Sequence, residues 1–180
     1  AGVFTCAKHF PGHGDTSVDS HKALPVLPFT RERLDSIELY PYKTPLLQGV
    51  QGVMVAHLDV PVLTGEPGLP VSLSHKVTTG LLQKELNFKG LVFTDALNMK
   101  GASDFSPDGD VSLKALLAGN DVLVIPNDLG LSIAHLSEAL KKGVLTEARL
   151  AYSVKKYWLL SMIWALINTV LSSSMDSPKT

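Results

Sequence analysis

A chain of 180 residues is long enough for one domain with a substantial core, or for part of a larger one. With 45% hydrophobic and 18% charged residues it has the composition of a soluble globular fold, and a formal net charge of −1 without a basic block leaves no electrostatic footprint for nucleic acid. The lone cysteine, Cys6, excludes an internal disulfide and any multi-cysteine metal site, and its place in an apolar run predicts a small core residue rather than a nucleophile.

Residues 3–7 predict a buried strand that opens into the polar stretch at residues 8–21. Neither a starting methionine nor a leader stands ahead of it, so the sequence reads as truncated at its N-terminus. A helical segment is expected over about residues 30–48, capped by Thr30, with Pro41 and Pro45 bending or breaking it. Residues 52–56 predict a second buried strand that ends in His57-Leu58-Asp59. A loop rich in Gly and Pro then leads to a helix capped by Ser72 or Ser74 and reaching about Leu86. The third strand is expected at residues 90–94, with Asp95 at its end and a loop over 96–109. A helix over about 110–118 follows, stopped by Gly119-Asn120. Residues 121–125 predict the fourth strand and about 129–142 its helix. Thr146 caps a last helix, where Glu147 suits the helix dipole.

Four apolar runs alternating with helices predict a parallel α/β sheet built of βα units. No glycine-rich phosphate loop follows any strand, which removes the main support for a nucleotide-binding doubly wound fold. A (β/α)8 TIM barrel takes about 250 residues, so four units read as the C-terminal half of such a barrel, a fragment with open sheet edges. The expected division is residues 1–156 for the half barrel and 157–180 for an apolar helix and polar tail. Residues 157–171 are almost uniformly apolar yet fall short of the ~20 needed to span a bilayer. They are expected to be a buried terminal helix, the alternative being an interfacial anchor, the one route by which this chain would meet a membrane.

Residues 8–21 hold three histidines, two aspartates and a lysine beside Pro11, Gly12 and Gly14. Nothing about burying a core asks for so many ionisable groups at a strand end, where parallel α/β folds keep their chemistry. Asp95, carried on a rigid strand end, suits a nucleophile, and equally suits an Asp that caps the following turn. Asp19 stands two residues from His21, so its carboxylate could accept the Nδ1 hydrogen and leave Nε2 to exchange a proton; a loop Asp beside an exposed His reads the same way in sequence. Lys8 and His9 could donate to ligand hydroxyls, or Lys8 could pair with Asp95. His13 is expected to hold its loop, His57 to form part of the site wall, and His75 and His135 to lie on solvated helix surfaces.

The run K-H-F-P-G-H-G-D-T-S-V-D-S-H, followed some seventy residues later by F-T-D-A-L-N-M, resembles glycoside hydrolase family 3, in its bacterial β-N-acetylglucosaminidase (β-hexosaminidase) branch. The resemblance runs from about residue 3 to about residue 155. It implies a (β/α)8 barrel, no metal or other cofactor, and retention of anomeric configuration at a terminal β-N-acetylglucosamine of peptidoglycan or chitooligosaccharide type. It also implies Asp95 as nucleophile, His21 as general acid/base oriented by Asp19, and Lys8 and His9 as binders of the sugar hydroxyls. The partner is then a carbohydrate, and the full-length protein is expected to be a monomer of the bacterial cytoplasm or cell envelope. The sugar-binding residues of the family's first half-barrel are absent from this sequence, so the chain by itself is expected to be inactive.

Two other functions fit the same residues. A metal-dependent barrel hydrolase could draw on His9, His13, His21, His57 and Asp95, although Pro11-Gly12 between His9 and His13 denies them helical spacing. A non-catalytic sugar-binding domain is the other.

Overall fold

The computed structural model describes residues 3–13, 15–16, 23–44, 46–106 and 111–175. The apolar runs become four strands, β1 (Cys6–Phe10), β2 (Gly52–Val55), β3 (Leu91–Ala96) and β4 (Val122–Val124), all parallel and in the order β1-β2-β3-β4. Sequential parallel neighbours joined by helical crossovers are what repeated βα units must give. Residues on alternate faces differ sharply in burial. Val53, Val55, Val92 and Thr94 are fully buried against the helices, whereas Met54, Phe93 and Asp95 on the other face are only half-buried. That inner face is tight at Gly52, where a Cβ would lie 2.8 Å from the Phe93 ring.

Strand β1 begins three residues later than expected, because its ladder with β2 runs from Cys6↔Gly52 to Phe10↔Val55 and leaves Val3 and Phe4 exposed. Lys8 and His9 therefore belong to the strand itself. Cys6 is exposed rather than in the core. It lies at the start of a strand paired on one side only, beside Gly52 of β2.

The prolines act as expected on the segment after residue 30. It forms three short helices, α1 (Arg31–Ser36), α2 (Tyr40–Lys43) and α3 (Leu46–Gly49), with the Thr30 hydroxyl accepting from Arg33 N at 3.3 Å and Pro41 in the first turn of α2. Their buried side chains pack under β1 and β2, where Phe10 meets Tyr42 edge-on at 4.9 Å between centroids. The loop after β2 holds a short helix α4 (Pro61–Thr64) and a 3₁₀ turn (Val71–Leu73), and the next helix, Lys76–Glu85, is wound with π-type bonds. Neither serine caps that helix through its side chain; the Ser72 hydroxyl is drawn instead to His57.

Beyond β3 lie α5 (Lys100–Ser103), which the breaker-rich sequence concealed, and α6 (Val111–Ala118). Asp128 caps α7 (Leu129–Lys141) by accepting from Leu131 N at 2.9 Å, and Thr146 accepts from Arg149 N at 3.1 Å at the head of α8 (Glu147–Met175). The first turns of α8 are pinned to the sheet by Asp121, whose buried carboxylate accepts from Val92 N (3.0 Å), from the Ser153 hydroxyl (2.5 Å) and from Lys156. Past Lys156 the expected burial does not occur. Trp158, Leu159, Met162 and Leu166 are each at least 60% exposed, because no described element lies against them. Among the described residues, no helix is long and apolar enough to cross a membrane.

Candidate active site

The ladder is irregular at two places, both of them where the chemistry-bearing residues sit. Between Ala7↔Val53 and Phe10↔Val55, β1 spends three steps against two on β2, so the extra residue falls at Lys8-His9. Between Phe93↔Val122 and Ala96↔Val124, β3 does the same at Thr94-Asp95. A bulge bends its strand and re-aims a side chain, and bulges gather beside active sites for that reason. The Lys8–His9 and Phe10–Pro11 peptide bonds are cis.

The two bulged strand ends bring His9 and Asp95 together across the width of β2, with His9 Nε2 3.8 Å from Asp95 Oδ2 and both side chains partly open to solvent. The other oxygen, Asp95 Oδ1, accepts from Ala96 N at 2.8 Å. Burial pushes the His9 imidazole below its ordinary pKa; the Asp95 charge opposes this, and Lys8 and His13 reinforce it. His9 is accordingly a neutral donor and acceptor at neutral pH. Lys8 is exposed, and the side chain that faces Asp95 is His9 rather than Lys8. Asp19 and His21 lie outside the described residues.

The start of the polar loop is braced from behind. The Thr16 hydroxyl bonds His13 Nδ1 at 3.2 Å and donates to the His13 carbonyl at 3.1 Å, so His13 shapes the loop as expected. Arg33 clasps both oxygens of Glu38 at 2.6 Å and reaches Asp15 at 2.8 Å. Gly12 packs so closely on Glu38 that a Cβ would come within 2.7 Å of the glutamate Cβ. Sequence reasoning missed this clasp, since Arg33 and Glu38 stand five apart across a helix end and share no helical face. A cleft of about 480 Å³ runs along β1 past Lys8, His9 and His13 to Glu38 and Tyr42; Asp95 does not line it.

His57 does not form the wall of the site. It is fully buried behind β3, with Nδ1 2.7 Å from the Ser72 hydroxyl and Nε2 3.1 Å from the Ala96 carbonyl. With both ring nitrogens engaged it is unavailable to the metal cluster the sequence allowed. Among the described residues, no group of three His, Cys, Asp or Glu is placed to hold a metal. His75 is exposed, as expected of a helix surface, and His135 is half-exposed.

The model of the Glycosyl hydrolase family 3 N terminal domain matches residues 1–159. The chain belongs to glycosyl hydrolase family 3. Its parallel sheet and flanking helices are part of that family's TIM-barrel-like α/β domain. Among its relatives, Beta-hexosaminidase A of Pseudoalteromonas piscicida is 34% identical over 175 residues, covering 87% of this chain and 29% of the relative. Beta-hexosaminidase LpqI of Mycobacterium bovis BCG is 38% identical over 162 residues, covering 86% of this chain and 41% of that protein. A solved family 3 beta-N-acetylglucosaminidase from Paenibacillus sp. FPU-7 superposes with a TM-score of 0.86 at 37% identity, over 99% of this chain and 33% of that one. The family 3 chain thus spans about a third of the length of two of these relatives and less than half of the other.

Proposed function

We propose that the protein is a retaining glycoside hydrolase that removes terminal β-N-acetylglucosamine from peptidoglycan-derived or chitooligosaccharide substrates. Residues 1–156 would supply the C-terminal half of the catalytic barrel, with 157–180 outside the catalytic unit. The observation that carries the reading is the meeting of His9 and Asp95, 86 residues apart in sequence, at bulges on two strand ends. The beta-hexosaminidase and beta-N-acetylglucosaminidase names of its relatives support the choice of sugar.

In this reading Asp95 Oδ2 attacks the anomeric carbon while His21, protonated and oriented by Asp19, gives its proton to the departing oxygen. The resulting glycosyl ester on Asp95 is hydrolysed by a water that neutral His21 activates. Lys8 and neutral His9 hold the sugar hydroxyls, and His9 spaces the ring so that the anomeric carbon faces Asp95. The hydrogen bond from Ala96 N to Oδ1 leaves Oδ2 as the free attacking oxygen.

The test is hydrolysis of 4-nitrophenyl N-acetyl-β-glucosaminide by the intact protein, followed by trapping with a 5-fluoro glycosyl reagent and peptide mapping. The label is expected on Asp95, and Asp95→Asn should lose at least about 10³-fold in kcat. His21→Ala should spare the activated aryl glycoside far more than a natural disaccharide. Binding of N-acetylglucosamine without turnover would favour a non-catalytic sugar-binding domain, and loss of turnover on chelation would favour a metal-dependent hydrolase. The 180-residue chain by itself is expected to be inactive.

A further inference from the structure

We infer that His57 is a positioning residue for Asp95, an inference that rests on the reading of Asp95 as nucleophile. A carbonyl oxygen only accepts, so the 3.1 Å contact with Ala96 O places the ring hydrogen on Nε2. Nδ1 is then a bare lone pair, and the Ser72 hydroxyl donates to it at 2.7 Å. One tautomer and one ring plane are thereby fixed. Ser72 is itself fully buried, and its carbonyl accepts from Asn120 Nδ2 at 2.7 Å; the same amide nitrogen also donates to Ala115 O at 2.7 Å. The brace thus starts at the junction of α6 and β4, crosses Ser72 and His57, and ends on Ala96.

Ala96 is where that brace can act on the chemistry. Its N–H donates to Asp95 Oδ1 at 2.8 Å, and its carbonyl is the group His57 holds. Because β3 carries its extra residue here, its ladder with β4 pins Phe93 and Ala96 and skips Thr94 and Asp95, while its ladder with β2 ends at Val55↔Thr94. Asp95 itself stands in neither ladder, so its backbone is held through its neighbours, and the His57 contact adds a tie to Ala96 from outside the sheet. A carboxylate that must attack along one line tolerates little rotation, and a misplacement of about 1 Å can cost 10²-fold in rate. An apolar replacement would in addition leave the buried Ser72 hydroxyl without its acceptor, and the Ala96 carbonyl with Met99 N (3.0 Å) in place of two donors.

The experiment compares His57→Leu, His57→Gln and Ser72→Ala in the intact protein, using 4-nitrophenyl N-acetyl-β-glucosaminide. His57→Leu is expected to lower kcat by about 10²-fold with KM within about 2-fold of wild type. The rate of fluoroglycosyl trapping at Asp95 should fall in parallel. His57→Gln, which keeps an N–H for Ala96 and an acceptor for Ser72, should recover at least about tenfold of that loss. A His57→Leu protein with wild-type kcat, a rise in KM at unchanged kcat, or a glutamine variant no better than leucine would each overturn the inference. If neither His57 variant folds, a lowered kcat at unchanged KM in Ser72→Ala upholds it and an unchanged kcat overturns it. Wild-type protein that neither turns over nor takes the label overturns the reading of Asp95, and this inference with it.

Discussion

His9 and His57 are two imidazoles that burial keeps below their ordinary pKa of 6.5, one facing the Asp95 carboxylate and one behind it. For His57 burial is the leading cause, opposed by the Ala96 carbonyl and by the charge and backbone of Asp95. Each ring therefore takes a proton more readily in the unfolded chain than in the fold. Above pH 6.5 both states hold neutral rings and the groups contribute nothing to pH dependence. As pH falls through that value the unfolded chain binds protons that the fold refuses, so stability drops, levelling off once the folded rings titrate. The urea midpoint should fall between pH 7.5 and 5.5, and His57→Gln should fall less steeply than wild type over that interval. Equal slopes would mean that His57 titrates alike in both states.

Among the elements, the α6–β4 connection makes the sharpest demand on its sequence. Gly119 sits at φ +120°, and a Cβ there would stand 2.3 Å from the Thr79 hydroxyl, which donates to Ala118 O at 2.8 Å. Gln83 donates to the Gly119 carbonyl at 2.8 Å, so the turn is locked against the helix Lys76–Glu85. Gly119→Ala should cost about 1–3 kcal/mol, read as a lower denaturant midpoint at unchanged slope. A midpoint within error of wild type would show that the turn relaxes. Gly119-Asn120 was legible as a helix stop, as were the other strong local signals: Thr30 and Thr146 at helix starts, the prolines at helix breaks, and the four apolar runs. The misreadings share a cause. Which residues of an apolar run enter a strand is decided by the partner's register, so β1 slid three residues toward Phe10 and took Lys8 and His9 with it. Ser72 looked like a cap, and its real partner, His57, is fifteen residues away across a loop. The two bulges leave no local trace at all, since each exists only as a mismatch of steps between neighbouring strands.

For the molecule as a whole, the proposed boundary near residue 156 falls where the charged anchors of α8 end and its side chains become largely exposed. Asp121 gathers Lys156, Ser153 and the Val92 amide, and Arg149 donates to the Leu116 and Asn120 carbonyls at 3.2 and 2.7 Å. All of these anchors lie at or before Lys156. Beyond it, Trp158, Leu159, Met162 and Leu166 present apolar surface to solvent, a condition that drives association in water. Ending the chain after Lys156 should therefore leave the unfolding free energy within about 1 kcal/mol, since most of the large apolar side chains removed are exposed. The same truncation should convert concentration-dependent association, followed by sedimentation velocity, into a single monomeric species. Asp121→Asn should do the opposite, costing about 3 kcal/mol or more by leaving Lys156 without its counter-charge, while the exposed segment continues to associate. If truncation instead destabilises the fold by as much as Asp121→Asn does, the apolar half of α8 is an integral part of the domain, and the boundary drawn at residue 156 is misplaced.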